Sequence, residues 1–143
     1  MLMFEKIKEI LSGKQTIKGI EIKRSAIEKF TEFSKGSYPK EFLGFSEGKI
    51  ERGKILIDDI LFQPYIANEN SAFSTRLWDM PITANVVGSA HSHPGPSNHP
   101  SRADLHFFGK TGIVHMIIKL PYRTEDVALY DNNGNVLNYK IIE

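Results

Sequence analysis

The chain has 143 residues, the size of one domain, and 41% of them are apolar, enough for a single packed core. Its 18 Lys and Arg against 17 Asp and Glu leave no net field to gather nucleic acid or an anionic membrane. With no cysteine, disulfides, thiolate nucleophiles and Cys-based metal sites are all excluded, so any metal must rest on His and carboxylate.

Met1 to Lys14 interleaves charges with apolar residues, unlike a secretory signal, which places the protein in the cytoplasm. Runs such as Ile55-Leu56-Ile57 fall far short of the roughly 20 apolar residues that cross a bilayer. Phe4, Ile7, Lys8 and Leu11 at helical spacing predict a short amphipathic helix before Gly13, whose Phe4, Ile7, Leu11 face would suit a homodimer contact. Residues 1–18 are thus an N-terminal helical extension, and residues 19–143 one domain. Ile20 and Ile22 alternate with charges as in a strand. A helix follows from Ser25 through Ile27, Phe30 and Phe33, with Gly36 as its stop. Residues 42–51 and 54–64 are strand-like runs joined by Arg52-Gly53, an antiparallel hairpin. From Tyr65 to Asp79 periodicity is lost, which predicts a long surface loop.

Asn85 to His93 is a strand of small and β-branched residues, halted by Pro94 and followed by a rigid Pro/Gly loop to Pro100. Ser101 to Phe108 is helical, Ile113 to Lys119 a strand, and 127–130 and 136–142 two more around the Asn132-Asn133-Gly134 turn. With no repeat or linker, the economical reading is one α/β (α+β) unit.

On a strand, His91 and His93 project from one face and can offer two imidazoles to one ion, with Ser92 turned away. Catalytic zinc needs a third protein ligand and an open position, and Asp104, brought back by the rigid loop, is the natural third. Hydrolysis also needs a base. Glu41 is the candidate, in Tyr38-Pro39-Lys40-Glu41-Phe42-Leu43-Gly44, where burial among apolar neighbours would raise its pKa. Each element has a plainer reading: Ser101-x-x-Asp104 is also a helix capping box, and two strand histidines are often structural or surface residues. The joint pattern is what points to a metal.

HSHP, six residues, Ser101-x-x-Asp104, and an upstream Pro39-x-Glu41-x-x-Gly44 resemble the JAMM (MPN+) metallopeptidase family, over most of the chain from about Ile20 onward. The resemblance implies a cytidine-deaminase-like MPN/JAB fold with one mixed, largely antiparallel sheet flanked by helices. It implies one Zn2+ on His91, His93 and Asp104, Glu41 as general acid/base, and Ser101 as donor to the tetrahedral intermediate. It further implies an isopeptidase removing a ubiquitin-like modifier with a Gly-Gly tail. Alternatives are a peptidase trimming a sulfur-carrier protein and a non-catalytic MPN scaffold. Linkage-selective relatives carry two insertions: residues 65–79 lie where the first falls, and the second is missing. The modifier tail is expected to lie extended near that loop, walled by Phe73 and Trp78. His99, in the metal-side loop, is open to a substrate contact or to solvent, while His106 and His115 are structural.

Overall fold

A computed structural model describes residues 1–62 and 85–143. The 65–79 loop, with Phe73 and Trp78, lies outside the described residues. Helix α1 (Met3–Leu11) turns Met3, Ile7 and Ile10 onto the core, whereas Phe4 and Leu11 are 69% and 57% exposed. The packed face is therefore rotated from the predicted Phe4, Ile7, Leu11 stripe. Lys8 lies between Phe4 and Leu11 on that stripe, and burying it would desolvate an ammonium. Instead its Nζ hangs over the Phe4 ring, 5.4 Å from the centroid.

Strand β1 (Gly19–Lys23) runs directly into α2 (Arg24–Ser37), whose buried Ala26, Ile27, Phe30, Thr31 and Ser34 form one helical face. The helix passes through Gly36 and stops where Pro39 bars the helical conformation from Tyr38. Proline, not the expected glycine, is the terminator. Strands β2 (Leu43–Glu51) and β3 (Lys54–Phe62) form the expected hairpin; Arg52 and Gly53 both take positive φ, as a two-residue turn with right-handed twist requires.

Strand β4 (Val86–Ser92) follows, then helix α3 (Arg102–Phe108), β5 (Val114–Ile118), a 3₁₀ turn (Thr124–Asp126), β6 (Val127–Tyr130), β7 (Val136–Leu137) and β8 (Lys140–Ile142). Among the described residues the sheet has eight strands in the order β7-β6-β5-β4-β2-β3-β1-β8. The pairs β1–β3, β1–β8 and β4–β5 are parallel and the other four antiparallel. The single strand expected over 136–142 is two strands on opposite edges, separated by two residues. Three Cα steps span at most about 10 Å, so the edges must nearly meet and the sheet curls. The concave side holds α2, whose Ala26, Ile27 and Phe30 share one core with Ile57, Ala90, Met116 and Leu129. Tyr139 ties the crossing segment down, its hydroxyl donating to the Val127 carbonyl at 2.9 Å.

Candidate metal centre

The centre is built on β4, which is central in the sheet and pairs β2 on one side and β5 on the other. Gly88 makes that packing feasible, since a Cβ there would stand 1.5 Å from the Val114 carbonyl oxygen. At the strand's end His91 lies between Leu43 of β2 and Ile117 of β5 and is 3% exposed. Ser92 turns to the other face, where its Oγ accepts from the Phe42 N–H at 2.8 Å. His93 returns to the His91 side just past the strand, and its N–H donates to the Ile118 carbonyl at 2.9 Å.

The loop from Pro94 to Pro100 is pinned along its length. The Leu120 N–H donates to the Gly95 carbonyl (3.0 Å), the Tyr130 hydroxyl to the Asn98 carbonyl (2.8 Å), and the Asn98 amide to the Asp126 carbonyl (2.9 Å). It delivers Ser101 as N-cap of α3. The Ser101 Oγ accepts from the Asp104 N–H at 3.1 Å, and Asp104 Oδ2 accepts from the Ser101 N–H at 2.8 Å. The capping box is thus real. It does not compete with metal binding, because it orients the carboxylate toward the histidines.

His91 Nε2 and His93 Nε2 lie 3.3 Å apart, His91 Nε2 lies 3.1 Å from Asp104 Oδ1, and His93 Nε2 lies 3.2 Å from Asp104 Oδ2. A tetrahedral ion with bonds of about 2.0–2.1 Å sets its ligand atoms about 3.3–3.4 Å apart, so the donor spacing matches zinc. Tautomer chemistry agrees. The Ser97 carbonyl, which can only accept, is 2.8 Å from His93 Nδ1, so that nitrogen carries the proton and Nε2 presents a lone pair. When both imidazoles are neutral at Nε2, they and the carboxylate aim lone pairs at one point, where a cation fits; with no ion, an Nε2 proton takes that place and donates to Asp104. Burial pushes the Asp104 carboxyl up, but hydrogen bonds from His91 and His93 outweigh it and hold it well below the usual carboxylate range. The Asp104 carboxylate in turn raises the His93 pKa. Among the described residues this is the one cluster of three such ligands.

Residues 23–130 match the model of prokaryotic homologs of the JAB domain. A probable metalloprotease of Haloferax volcanii is 30% identical over 130 residues, covering 87% of this chain and 80% of the relative. The chain belongs to the JAB (JAMM/MPN) family. A JAB1/MPN domain protein from Archaeoglobus fulgidus superposes with a TM-score of 0.69 at 28% identity, covering 86% of this chain and 99% of the other. A second solved structure, described as JAMM, a metalloprotease-like zinc site in the proteasome and signalosome, gives 0.67 at 26% identity, covering 87% and 99%.

Within this JAMM-family domain the remaining candidates are placed unevenly. Glu41 is exposed, not buried as expected: Phe42 takes the inward position and Glu41 faces solvent. The His93 pKa is raised chiefly by the Asp104 hydrogen bond and the Tyr122 pKa by burial, with the Glu41 carboxylate adding the smallest pull in each case. Ser101 is exposed beside Asp104, whereas His99 is exposed in the loop and joins no ligand cluster among the described residues, its N–H donating to Ser97 Oγ at 3.2 Å. His106 is exposed. His115 is fully buried: Nδ1 is 2.8 Å from Ser89 Oγ, Nε2 is 2.6 Å from Asn132 Oδ1, and the ring stacks on Phe108 with centroids 4.1 Å apart. Sequence reading missed Tyr122, Ser92 as a hydrogen-bond partner, and Ser97. Their contacts arise between distant segments, and the one local sign was the Pro121-Tyr122 break after β5.

Proposed function

We propose that this JAMM-family protein is a zinc-dependent isopeptidase that releases a ubiquitin-like modifier with a Gly-Gly tail from lysine side chains. The observation that carries the reading is the convergence of His91, His93 and Asp104 at zinc-ligand spacing in a chain of this family. His91, His93 and Asp104 would hold one zinc ion per chain. When bound, zinc supplies Lewis acidity, lowering the pKa of water and polarising a carbonyl. Glu41 takes a proton from the attacking water and returns it to the departing lysine amine, so the C–N bond breaks as the acyl carbon gains hydroxyl and the nitrogen gains hydrogen. Its exposure leaves it reachable by substrate. Ser101 enters the cap as an acceptor, so its own proton remains free for the developing oxyanion. A Gly-Gly tail, free of side chains, suits an extended segment lying against the metal ligands.

The test is turnover of a Gly-Gly isopeptide conjugate by zinc-loaded protein. Glu41→Gln is expected to retain one zinc per chain and lose turnover by at least about 100-fold, within the range for removing a general base. A chelator should abolish the wild-type activity and added zinc restore it. Cleavage by the Gln variant at the wild-type rate would remove the base assignment, and a wild type inert on every such conjugate would remove the isopeptidase reading.

A further inference from the structure

We propose that Tyr122 is a positioning residue that fixes Glu41 against the metal centre, an inference that rests on Glu41 being the base. Tyr122 lies beyond β5 and is 2% exposed, with φ of 68°, a left-handed conformation that bulky side chains adopt when their surroundings compel it. Such conformations gather at functional sites, and the contacts of this one explain what it holds.

The Tyr122 hydroxyl donates to the His93 carbonyl at 2.9 Å. Burial pushes the phenol pKa up, partly offset by the nearby Ser92 side chain. Ser92 Oγ accepts from the Phe42 N–H at 2.8 Å. Tyr122 therefore holds the carbonyl of His93 while the preceding residue, Ser92, holds the residue after Glu41, so a path runs from Phe42 through the Ser92–His93 backbone to Tyr122. The Tyr122 ring also meets the segment before Glu41, where Tyr38 packs on it edge-on with centroids 6.3 Å apart. Tyr122 thus touches the segment before Glu41 directly and reaches the segment after it through the His93–Ser92 backbone.

Glu41 makes no hydrogen bond or ion pair of its own among the described residues, so its place depends on its neighbours. Phe42 anchors one side, its ring packed on Phe30, Phe33 and Phe62 at 6.0, 5.2 and 5.8 Å. That anchor ties Glu41 to the core but not to the metal ligands. The link to His93 runs through Ser92, its neighbour in the chain, with Tyr122 bound to the His93 carbonyl. Proton transfer tolerates little error, and misplacement by about 1 Å costs on the order of 100-fold in rate.

Tyr122→Phe deletes the hydroxyl and keeps the ring, so it separates the hydrogen-bond chain from packing. Zinc content is expected to hold and Tm to fall by only the few degrees that one lost hydrogen bond costs, while kcat on an isopeptide probe falls roughly 10- to 100-fold with KM unchanged. The probe is a peptide ending in Gly-Gly joined to the side chain of a fluorescent lysine peptide. In a Glu41→Gln background the same change should do nothing further to residual turnover, whereas a tyrosine that only filled the core would slow both alike. Hydrogen exchange at the Phe42 amide supplies a readout without substrate: it should accelerate in Tyr122→Phe while the amides of β4 keep their protection. Should Tyr122→Phe fail to fold, Ser92→Ala breaks the same chain and Ser92→Thr restores it. A Phe variant with wild-type kcat overturns the proposal. If no isopeptide is cleaved even by the wild type, the isopeptidase reading falls, and unchanged Phe42 exchange then overturns the positioning role independently.

Discussion

Two histidine clusters lie on adjacent strands of one sheet and have opposite chemistry. At the end of β4, His91, His93 and Asp104 gather their metal-ligating atoms within 3.1–3.3 Å of one another. On β5, each ring nitrogen of His115 has a neutral partner, Ser89 Oγ on one side and Asn132 Oδ1 on the other, and the ring face is covered by Phe108. An amide oxygen only accepts, so Nε2 carries the proton and Nδ1 accepts from the Ser89 hydroxyl, which leaves nothing unsatisfied. The first cluster fits a cation and the second is closed. Histidines therefore do not mark a metal centre by their number; what marks it is metal-ligating atoms gathered at one point.

The sharpest way to break this contrast is to delete one histidine from each cluster. His93→Ala is expected to lower zinc affinity by at least about 100-fold, more than the loss of an outer hydrogen-bond partner typically does. It should change the stability of metal-free protein by about 1 kcal/mol, the worth of one hydrogen bond. His115→Ala should do the reverse, removing about 3 kcal/mol through an internal cavity and two orphaned partners while zinc affinity stays within a factor of about three. Chelator competition and denaturant unfolding measure the two quantities. Equal zinc losses in both variants would mean that the clusters act as one unit.

Acid titration sharpens the same contrast with a smaller effect. Burial lowers the His115 pKa from 6.5 to about 4, against the opposing pull of the Asn132 hydrogen bond and the Asp131 charge and with the help of His91. The unfolded chain then binds a proton that the folded chain refuses, so this residue's contribution is whole above pH 6.5. It is lost progressively as pH falls toward about 4, to a total of about 3 kcal/mol at most. In metal-free protein, stability measured from pH 7 to 4 should fall more steeply for wild type than for His115→Gln. Parallel curves would show that the imidazole is not held neutral.

The open cluster was legible in sequence because its parts are local: a strand places His91 and His93 on one face, and a proline-stiffened loop returns Asp104 from a few residues on. The closed cluster was not, since Ser89, Phe108, His115 and Asn132 meet only when β4, β5, α3 and the β6–β7 turn are assembled. Fold legibility divides in the same way. The hairpin at Arg52-Gly53 follows from turn chemistry, but the split of 136–142 between the two edges follows from sheet curl, which no local pattern records. For α1, periodicity gave the helix and its ends, while Lys8 decided which of two stripes could be buried. Glu41 was found through its motif and misjudged in burial, because Phe42, just before β2, takes the inward position and leaves Glu41 to solvent.

The smallest effect tests how the open cluster is held. Asp104 reaches the histidines as the third residue of α3, and two bonds fix it there: its own N–H to Ser101 Oγ, and the Ser101 N–H to its Oδ2. The second is a backbone bond and survives any substitution at 101 except proline. Ser101→Ala should therefore cost about 1 kcal/mol of metal-free stability, the worth of a lost N-cap, and Ser101→Gly a few tenths, because glycine leaves the helix end open to water. Both should bind zinc within about threefold of wild type, since the bond that orients the carboxylate is untouched. If the alanine variant instead loses zinc as severely as His93→Ala, the serine side chain and not the backbone sets the carboxylate, and the cap would belong to the metal centre itself.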